Sequence, residues 1–396
     1  MTARTIGVVT VGRSDFGIYL PVLRRIRNDA DLRLRLFVSG AHLSAAHGRT
    51  VDEIERQGFE VHQRVQMLLA DDSPAAVAQS LGLGVLGFAQ TYAAERPDLL
   101  LLLGDRYEMF AAASAAVPMR IPLAHIHGGE VTHGAIDEAF RHSISKCSHW
   151  HFTSTQEHAD RLVRMGEEPW RVTVSGAPAL DNLRTLDLPE YDELARELAL
   201  PAERPLLVTF HPVTLQFDDV RRQIDELLAA LADHAGPIVF TAPNADTYGQ
   251  IVAEQIRRFV AEHANSRYVE NLGVRRYFCF LRHAAAMVGN SSSGIIEAAS
   301  FELPVVNIGI RQAGRAASRN VLNVADNRLA IAAGLRDALD PDFRRSLVGL
   351  RNIYGAGDAA ETIVRVVKQT PLDDRLLVKR FYDGPAACAA PALRAG

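Results

Sequence analysis

The chain has 396 residues, of which 48% are hydrophobic and 23% charged, with a formal net charge of −4. That length and apolar fraction suffice for a full core and suggest two domains, and the mild acidity argues against nucleic acid or an anionic membrane surface as the main partner, although local basic residues can still bind phosphate. Cys147, Cys279 and Cys388 lie far apart without CxxC or Cys/His ligand spacing, so neither a disulfide framework nor a zinc site is expected.

The first predicted strand, IGVVTV, begins within a few residues of the start and leaves no room for a cationic signal region. No apolar run reaches membrane-spanning length, so no membrane partner and a cytoplasmic location are expected. Arg13 and Asp15 follow this strand in VTVGRSDFG. Gly12 permits close approach and a helix starts just after, so an arginine here suits a phosphate or a developing charge; the plainer alternative is a solvated loop arginine.

RLRLFVSG and FEVHQRV read as the next strands, and DDSPAAVAQSLG as a capped helix of small residues running into Gly82, Gly84 and Gly87. Those glycines satisfy G-x-G-x-x-G literally, and Asp105 follows at the distance of a ribose-binding acid. A dinucleotide fingerprint requires a strand immediately before it, so small-residue helix packing is the expected role and no nicotinamide cofactor is implied.

The strand DLLLLLGD then delivers Asp105 and Arg106 to its C-terminal end, and PLAHIHGG delivers His125, His127 and Glu130. A helix opens with Asp137, Glu138, Arg141 and His142. Carboxylates, imidazoles and guanidinia thus converge at the carboxyl edge of a parallel sheet, where open α/β proteins bind ligands and do chemistry. Capping could explain Asp105 or Asp137 alone, but it does not require two histidines beside them. His125 and His127, at i and i+2 with Glu130 nearby, also raise a metal-dependent hydrolase, yet no further ligand set accompanies them and no metal is expected.

After WHFTST and VTVSGAP the rhythm breaks over Leu186–Pro205, and a second series follows: PLLVTFHP, PIVFTAPN, SRYVENL, AAMVGNSSS, PVVNIGI and VLNVAD. The expected organisation is α/β, with two Rossmann-like doubly wound domains over residues 1–185 and 200–370, a ligand cleft between their facing carboxyl edges, and a weakly ordered tail over 371–396. In MVGNSSSGIIE a strand turns through Gly289 and Asn290 into Ser291, Ser292 and Ser293, with a helix expected from near Gly294. Backbone N–H groups, hydroxyls and the positive helix end would face an anion together. Glu297 in the first helical turn could accept two ribose hydroxyls; an ordinary serine cap with Glu297 in a capping box is the alternative. His211 in TFHPVT, Asn244 and Asp246 in APNAD and Arg311 in NIGIRQ are delivered by their strands to the same cleft.

Taken in order, GRSDFG, GDRYE, HIHGGEVTHGAIDEAFRH, FHPVT, PNAD, GNSSSGIIEA and NIGIRQAGR resemble the hydrolysing UDP-N-acetylglucosamine 2-epimerases of sialic-acid and related nonulosonate pathways, over residues 6–370. The resemblance implies a glycosyltransferase-B-like fold with the active site in the interdomain cleft, no redox cofactor or required metal, a nucleotide-sugar partner and a homo-oligomer, dimer or tetramer. It places nucleotide-diphosphate contacts on Arg13, His211, Ser291, Ser292, Glu297 and Arg311, and acid/base work on Asp105, Glu130 and Asp137. Where some members read HIEGGE, this chain reads HIHGGE, with His127 at the acid's position, and the stretch from Glu130 to Asp137 is one residue longer. That form resembles bacterial members, some of which act on 2,4-diacetamido-2,4,6-trideoxy sugars.

The implied reaction removes H2 while the nucleotide diphosphate leaves C1, giving a glycal, and then adds water with the opposite C2 configuration. It needs bases near C2 and cations and N–H donors at the leaving group. The expected chemical set is Asp105, His127, Glu130, Asp137 and His211. The expected binding set is Arg13, Arg106, Arg141, Asn244, Asp246, Ser291, Ser292, Glu297 and Arg311. A glycosyltransferase using a UDP-sugar donor is the alternative on the same fold, and would need an acceptor pocket in the first domain. A catalytically silent nucleotide-sugar-binding protein is a further alternative.

Overall fold

The computed structural model describes residues 3–384 except 46–47, 72, 134, 202, 214–215 and 244–247. Its first sheet contains β1 (Arg4–Thr10), β2 (Leu32–Ser39), β3 (Val61–Val65), β4 (Leu99–Leu103), β5 (Leu123–Ile126), β6 (Trp150–Thr153) and β7 (Val172–Val174). Its second contains β8 (Leu206–Thr209), β9 (Ile238–Thr241), β10 (Ser266–Val269), β11 (Ala286–Gly289), β12 (Val305–Ile308) and β13 (Val321–Val324). Each of these strands coincides with a run that the sequence pattern marks as a strand, β1 and β2 beginning two residues and one residue before theirs.

The strand orders are β3-β2-β1-β4-β5-β6-β7 and β10-β9-β8-β11-β12-β13, with every pairing parallel. Helices cover the sheets, so the central strands are unbroken apolar runs rather than alternating ones: all five leucines of β4 are buried. In each sheet the order reverses direction once, between β1 and β4 and between β8 and β11, and a crevice opens at the carboxyl ends there. Two Rossmann-like sheets that bring these crevices together form the glycosyltransferase-B-like arrangement.

The helix Pro74–Ala94 contains the G-x-G-x-x-G glycines in its interior, capped by the Ser73 hydroxyl accepting from the Ala76 amide. A Cβ on Gly84 would lie 2.6 Å from Met67 Cε and 2.9 Å from Ala111 Cβ, so this glycine serves close packing of helix against helix. The preceding segment is not a strand, and the dinucleotide reading fails on that ground.

Two expectations need correction. The helix Ala359–Gln369, assigned by sequence to the second domain, packs Ala360, Ile363, Val364 and Val367 into the core of the first. Asp181 fixes it there, its carboxylate accepting from the amides of Ala359 and Ala360 at 3.0 and 2.8 Å. Residues 371–384 are likewise docked on the first domain rather than loose. Fully buried Arg171 donates to the carbonyls of Leu376, Arg375 and Val378, and Lys379 reaches buried Glu167 at 2.7 Å. Buried charges demand partners, and here the tail supplies them. Residues 385–396, the rest of that expected tail, lie outside the described residues.

Gly289 ends β11 with φ +133, and a Cβ there would lie 1.9 Å from the Thr209 carbonyl oxygen of the neighbouring strand. Gly82 sits in a helix with nothing within 4 Å of the corresponding point. The same substitution therefore has opposite signs at the two sites: Gly289→Ala should lower the unfolding free energy by about 2 kcal/mol or more, and Gly82→Ala should raise it by roughly 0.5–1 kcal/mol. Urea titration of both variants measures the pair, and a neutral Gly289→Ala would remove the packing argument at that turn.

Candidate active site

The loop ends of both switch points line one cavity. Arg13 follows β1, Asp105 and Arg106 follow β4, and Thr132 and Asp137 follow β5, forming its first-domain wall. His211 follows β8, Ser291, Ser292 and Glu297 follow β11, and Arg311 follows β12, forming the opposite wall. Asn244 and Asp246 lie outside the described residues. His127, Glu130 and Arg141 do not line the cavity; they are 6%, 2% and 1% exposed and form a layer beneath its first wall.

That layer is an ionic network. Arg141 pairs with Asp105 and donates to the Thr132 hydroxyl at 2.7 Å. Glu130 meets His127 Nδ1 at 2.6 Å, accepts from Ser154 Oγ at 2.7 Å, and faces guanidinium nitrogens of Arg315 at 3.2 Å and of Arg141 at 3.8 Å. Burial alone would raise the Glu130 carboxyl, but His127 and Arg315 beside it hold it below the usual carboxylate range. Burial, with Arg315 adding repulsion, pushes the Arg141 guanidinium down, so Asp105 is paired with a cation that has little solvent around it.

The two histidines of HIHGG diverge. His125 is fully buried, with its ring nitrogens 2.7 Å from the Gly104 carbonyl and 3.1 Å from Ser145 Oγ, and burial lowers it to about 3. His127 turns out of the strand in left-handed backbone, φ +65, and takes Glu130 instead. They share no ligand point, and among the described residues no group of three or more His, Cys, Asp or Glu side chains is arranged to hold a metal.

On the second-domain wall, the buried Asn290 amide closes a two-way bridge to His211: its Oδ1 accepts from the His211 N–H at 2.7 Å and its Nδ2 donates to the His211 carbonyl at 2.8 Å. The Asn290 carbonyl in turn accepts from Arg311 at 3.1 Å and Gln312 at 2.9 Å. One residue thus ties together the ends of three strands. The helix starts earlier than expected, at Ser292, because the Ser291 hydroxyl accepts from the Ser293 amide. Glu297 accordingly stands at the far end of this single turn rather than in its first residues, 8% exposed, and burial raises its carboxyl.

Sequence reasoning missed three groups at the site. Arg315, four residues after Arg311 in NIGIRQAGR, reaches across to the first domain. Tyr277 lines the cavity from an otherwise basic helix, GVRRYFCFLRH, and burial pushes its hydroxyl up. Fully buried Glu108 holds Arg106 through both carboxylate oxygens at 3.3 and 3.4 Å. Nearby Asp15 is 5% exposed, and burial raises it to about 6 against the pull of Arg106. Only the arginine spacing offered a signal in advance.

Comparison with known proteins agrees with this geometry. The family model of UDP-N-acetylglucosamine 2-epimerase matches residues 24–368. The UDP-N,N'-diacetylbacillosamine 2-epimerase (hydrolyzing) of Legionella pneumophila is 38% identical over 95% of this chain and 98% of its own length. The GDP/UDP-N,N'-diacetylbacillosamine 2-epimerase (hydrolyzing) of Campylobacter jejuni is 34% identical over 97% of this chain and all of its own. Among solved structures, the UDP-GlcNAc 2-epimerase of Neisseria meningitidis bound to UDP-GlcNAc superposes with a TM-score of 0.80 at 18% identity, covering 92% of this chain and 100% of the other. With the family model spanning most of its length and close relatives matched end to end, the chain belongs to the UDP-N-acetylglucosamine 2-epimerase family.

Proposed function

We propose that this chain is a hydrolysing nucleotide-sugar 2-epimerase that converts a UDP-linked 2-acetamido sugar and water to UDP and the free 2-epimeric sugar, of the N-acetylmannosamine type. The observation that carries the reading is that one cavity brings together Asp105, backed by the buried Arg141, and Asp137 from the first domain with His211, the Ser291 and Ser292 hydroxyls and Arg311 from the second. Between the two alternative sugars, the relatives named for diacetylbacillosamine favour a 2,4-diacetamido-2,4,6-trideoxy hexose over N-acetylglucosamine, and the longer Glu130–Asp137 loop accords with it. The free amino sugar would feed nonulosonate assembly in the cytoplasm.

In this reading a carboxylate of the first wall takes H2, the C1–O bond breaks with its electron pair leaving on the diphosphate, and a C1=C2 glycal forms. Water then adds hydroxyl at C1 while a proton reaches C2 from the opposite face. The C2 hydrogen is weakly acidic, so departure of a well-stabilised diphosphate must carry much of the first step. Arg13, His211, Ser291, Ser292 and Arg311 supply that stabilisation, and Glu297 holds the ribose. Asp105 and Asp137 line the cavity and are the proton-transfer groups, with no cofactor or metal drawn in. Glu130, first expected among those groups, is committed to four partners beneath the wall and acts with His127 and Arg141 to orient the residues above. A glycosyltransferase would need an acceptor pocket where this wall instead presents Asp105 and Asp137.

The active species is proposed to be a dimer or higher homo-oligomer of two-fold pairs. The 21-residue helix Pro74–Ala94 contains no acidic or basic side chain, yet Leu83 and Leu86 on it are 43% and 64% exposed. A two-fold axis sets each residue near its own copy, so any charge there meets its like; a long uncharged face suits a second copy of this chain. Leu86→Glu should shift the protein to monomers in light scattering with unchanged circular dichroism. A parent that is monomeric at micromolar concentration refutes this part.

Glu297→Ala should weaken UDP binding about tenfold or more while Asp105→Asn leaves it nearly intact and removes turnover. Calorimetric titration and a UDP-release assay on both diacetamido and N-acetylglucosamine donors read the two signatures, and an active Asp105→Asn would reassign the base.

Elimination also exchanges the C2 hydrogen with solvent. In deuterium oxide each released sugar should carry one deuteron at C2 by NMR or mass spectrometry. Product retaining protium there would indicate hydride transfer and sink the elimination mechanism.

A further inference from the structure

We propose that Arg315 is a positioning residue that clasps the nucleotide half of the cleft to the acid/base half, so that Asp105 is held for proton transfer only while the second domain sits against the first. The inference rests on the epimerase reading of the cavity and goes beyond it by assigning the coupling between its walls.

Arg315 belongs to the loop that follows β12, but its side chain makes two hydrogen bonds and an ion pair to the other domain. Its Nε donates to the Val131 carbonyl at 3.1 Å, one terminal nitrogen to the Thr132 hydroxyl at 3.2 Å, and the other faces Glu130 at 3.2 Å. The side chain is 7% exposed and Glu130 2% exposed, so this is a desolvated ion pair between domains, where loss of one partner leaves the other charge uncompensated. The same loop carries Arg311 and Gln312, which are bonded to the Asn290 carbonyl beside Ser291. Its backbone adds a further stitch, the Ala313 carbonyl accepting from the His133 amide at 3.4 Å. This loop thus links the leaving-group wall to Glu130.

From Glu130 the link continues to Asp105. Arg141 has a nitrogen 3.8 Å from Glu130, pairs with Asp105, and shares the Thr132 hydroxyl with Arg315. Two guanidinia therefore serve Glu130. Without Arg315 the buried Glu130 carboxylate has Arg141 as its remaining guanidinium partner and draws it off Asp105, which then loses its fixed orientation. A displacement on the order of 1 Å in a proton-transfer group can cost 10²-fold in rate.

The test compares parent, Arg315→Met, Arg315→Lys, Glu130→Gln and the double variant Arg315→Met/Glu130→Gln as full-length protein. UDP affinity is measured by calorimetry, kcat and KM on the UDP-sugar that the parent turns over, and amide hydrogen exchange over residues 130–138. The expected result is UDP affinity within about twofold of the parent for Arg315→Met, with kcat reduced about 30-fold or more at little-changed KM. The double variant should be no slower than the worse single, because both break one contact. Arg315→Lys should recover part of the rate, since it keeps the charge but not the three-point grip. Retained UDP binding certifies that each variant is folded.

A tenfold loss of UDP affinity with kcat preserved would make Arg315 a phosphate ligand and overturn the proposal, as would multiplicative losses in the double variant. If the parent turns over no UDP-sugar, the functional reading fails while the clasp is still judged by exchange: faster exchange over 130–138 in Arg315→Met upholds it, and unchanged exchange rejects it.

Discussion

Glu130 is a carboxylate with almost no access to water, and its burial is tolerable because cations from both halves of the molecule reach it. Arg141 comes from the first domain and Arg315 from the second, at 3.8 and 3.2 Å. An ion pair stripped of solvent gains little net stability over an apolar substitute, but each member becomes costly to leave alone. The consequence is specificity of arrangement: the domains have a preferred mutual position, and the groups bonded to these three charges inherit it. The side chains of Asp105, Thr132 and His127 all take partners in this network.

The two walls of the cavity then differ in how they obtain order. On the acid/base side it comes from buried charge, with a fully buried Glu108 holding Arg106 and a fully buried Arg141 holding Asp105. On the nucleotide side it comes from hydrogen bonds centred on a neutral residue, the Asn290 amide gripping the backbone of His211 and its carbonyl receiving Arg311 and Gln312. A leaving diphosphate brings its own negative charge, so hydroxyls, backbone dipoles and cations suit it. A weakly acidic C–H bond needs a carboxylate whose position does not drift. The division of labour between domains follows from these opposite electrostatic demands.

The first domain is also held by the C-terminal residues. Lys379 donates to the carbonyls of Ser145, Lys146 and Ser148 at the end of the helix Asp137–Cys147, whose first residue lines the cavity. A cation there complements the negative end of the helix, and its approach to Glu167 completes that residue's set of donors. The segment that reads from composition as loose Pro/Ala tail therefore begins with a docked portion.

How much was legible in advance divides along a physical line. Apolar runs bounded by turn residues fixed the strands, because burial on both faces of a parallel sheet demands such runs locally. The ordered motifs at strand ends identified Arg13, Asp105, Asp137, His211, Ser291 and Glu297 as cavity residues, because a switch point places loop ends together whatever the side-chain detail. The helix Ala359–Gln369 was assigned to the wrong core, since an amphipathic stripe declares that it is covered but not by what. His127 and Glu130 carry the same chemistry in sequence as Asp105, yet a left-handed turn at His127 and the arrival of Arg315 draw them beneath the wall. Short-range propensity is written in neighbouring residues; the pairing of Glu130 with Arg315 exists only where the two sheets are docked, and that tertiary contact, with the turn at His127, decides which acids face the cleft and which hold it together.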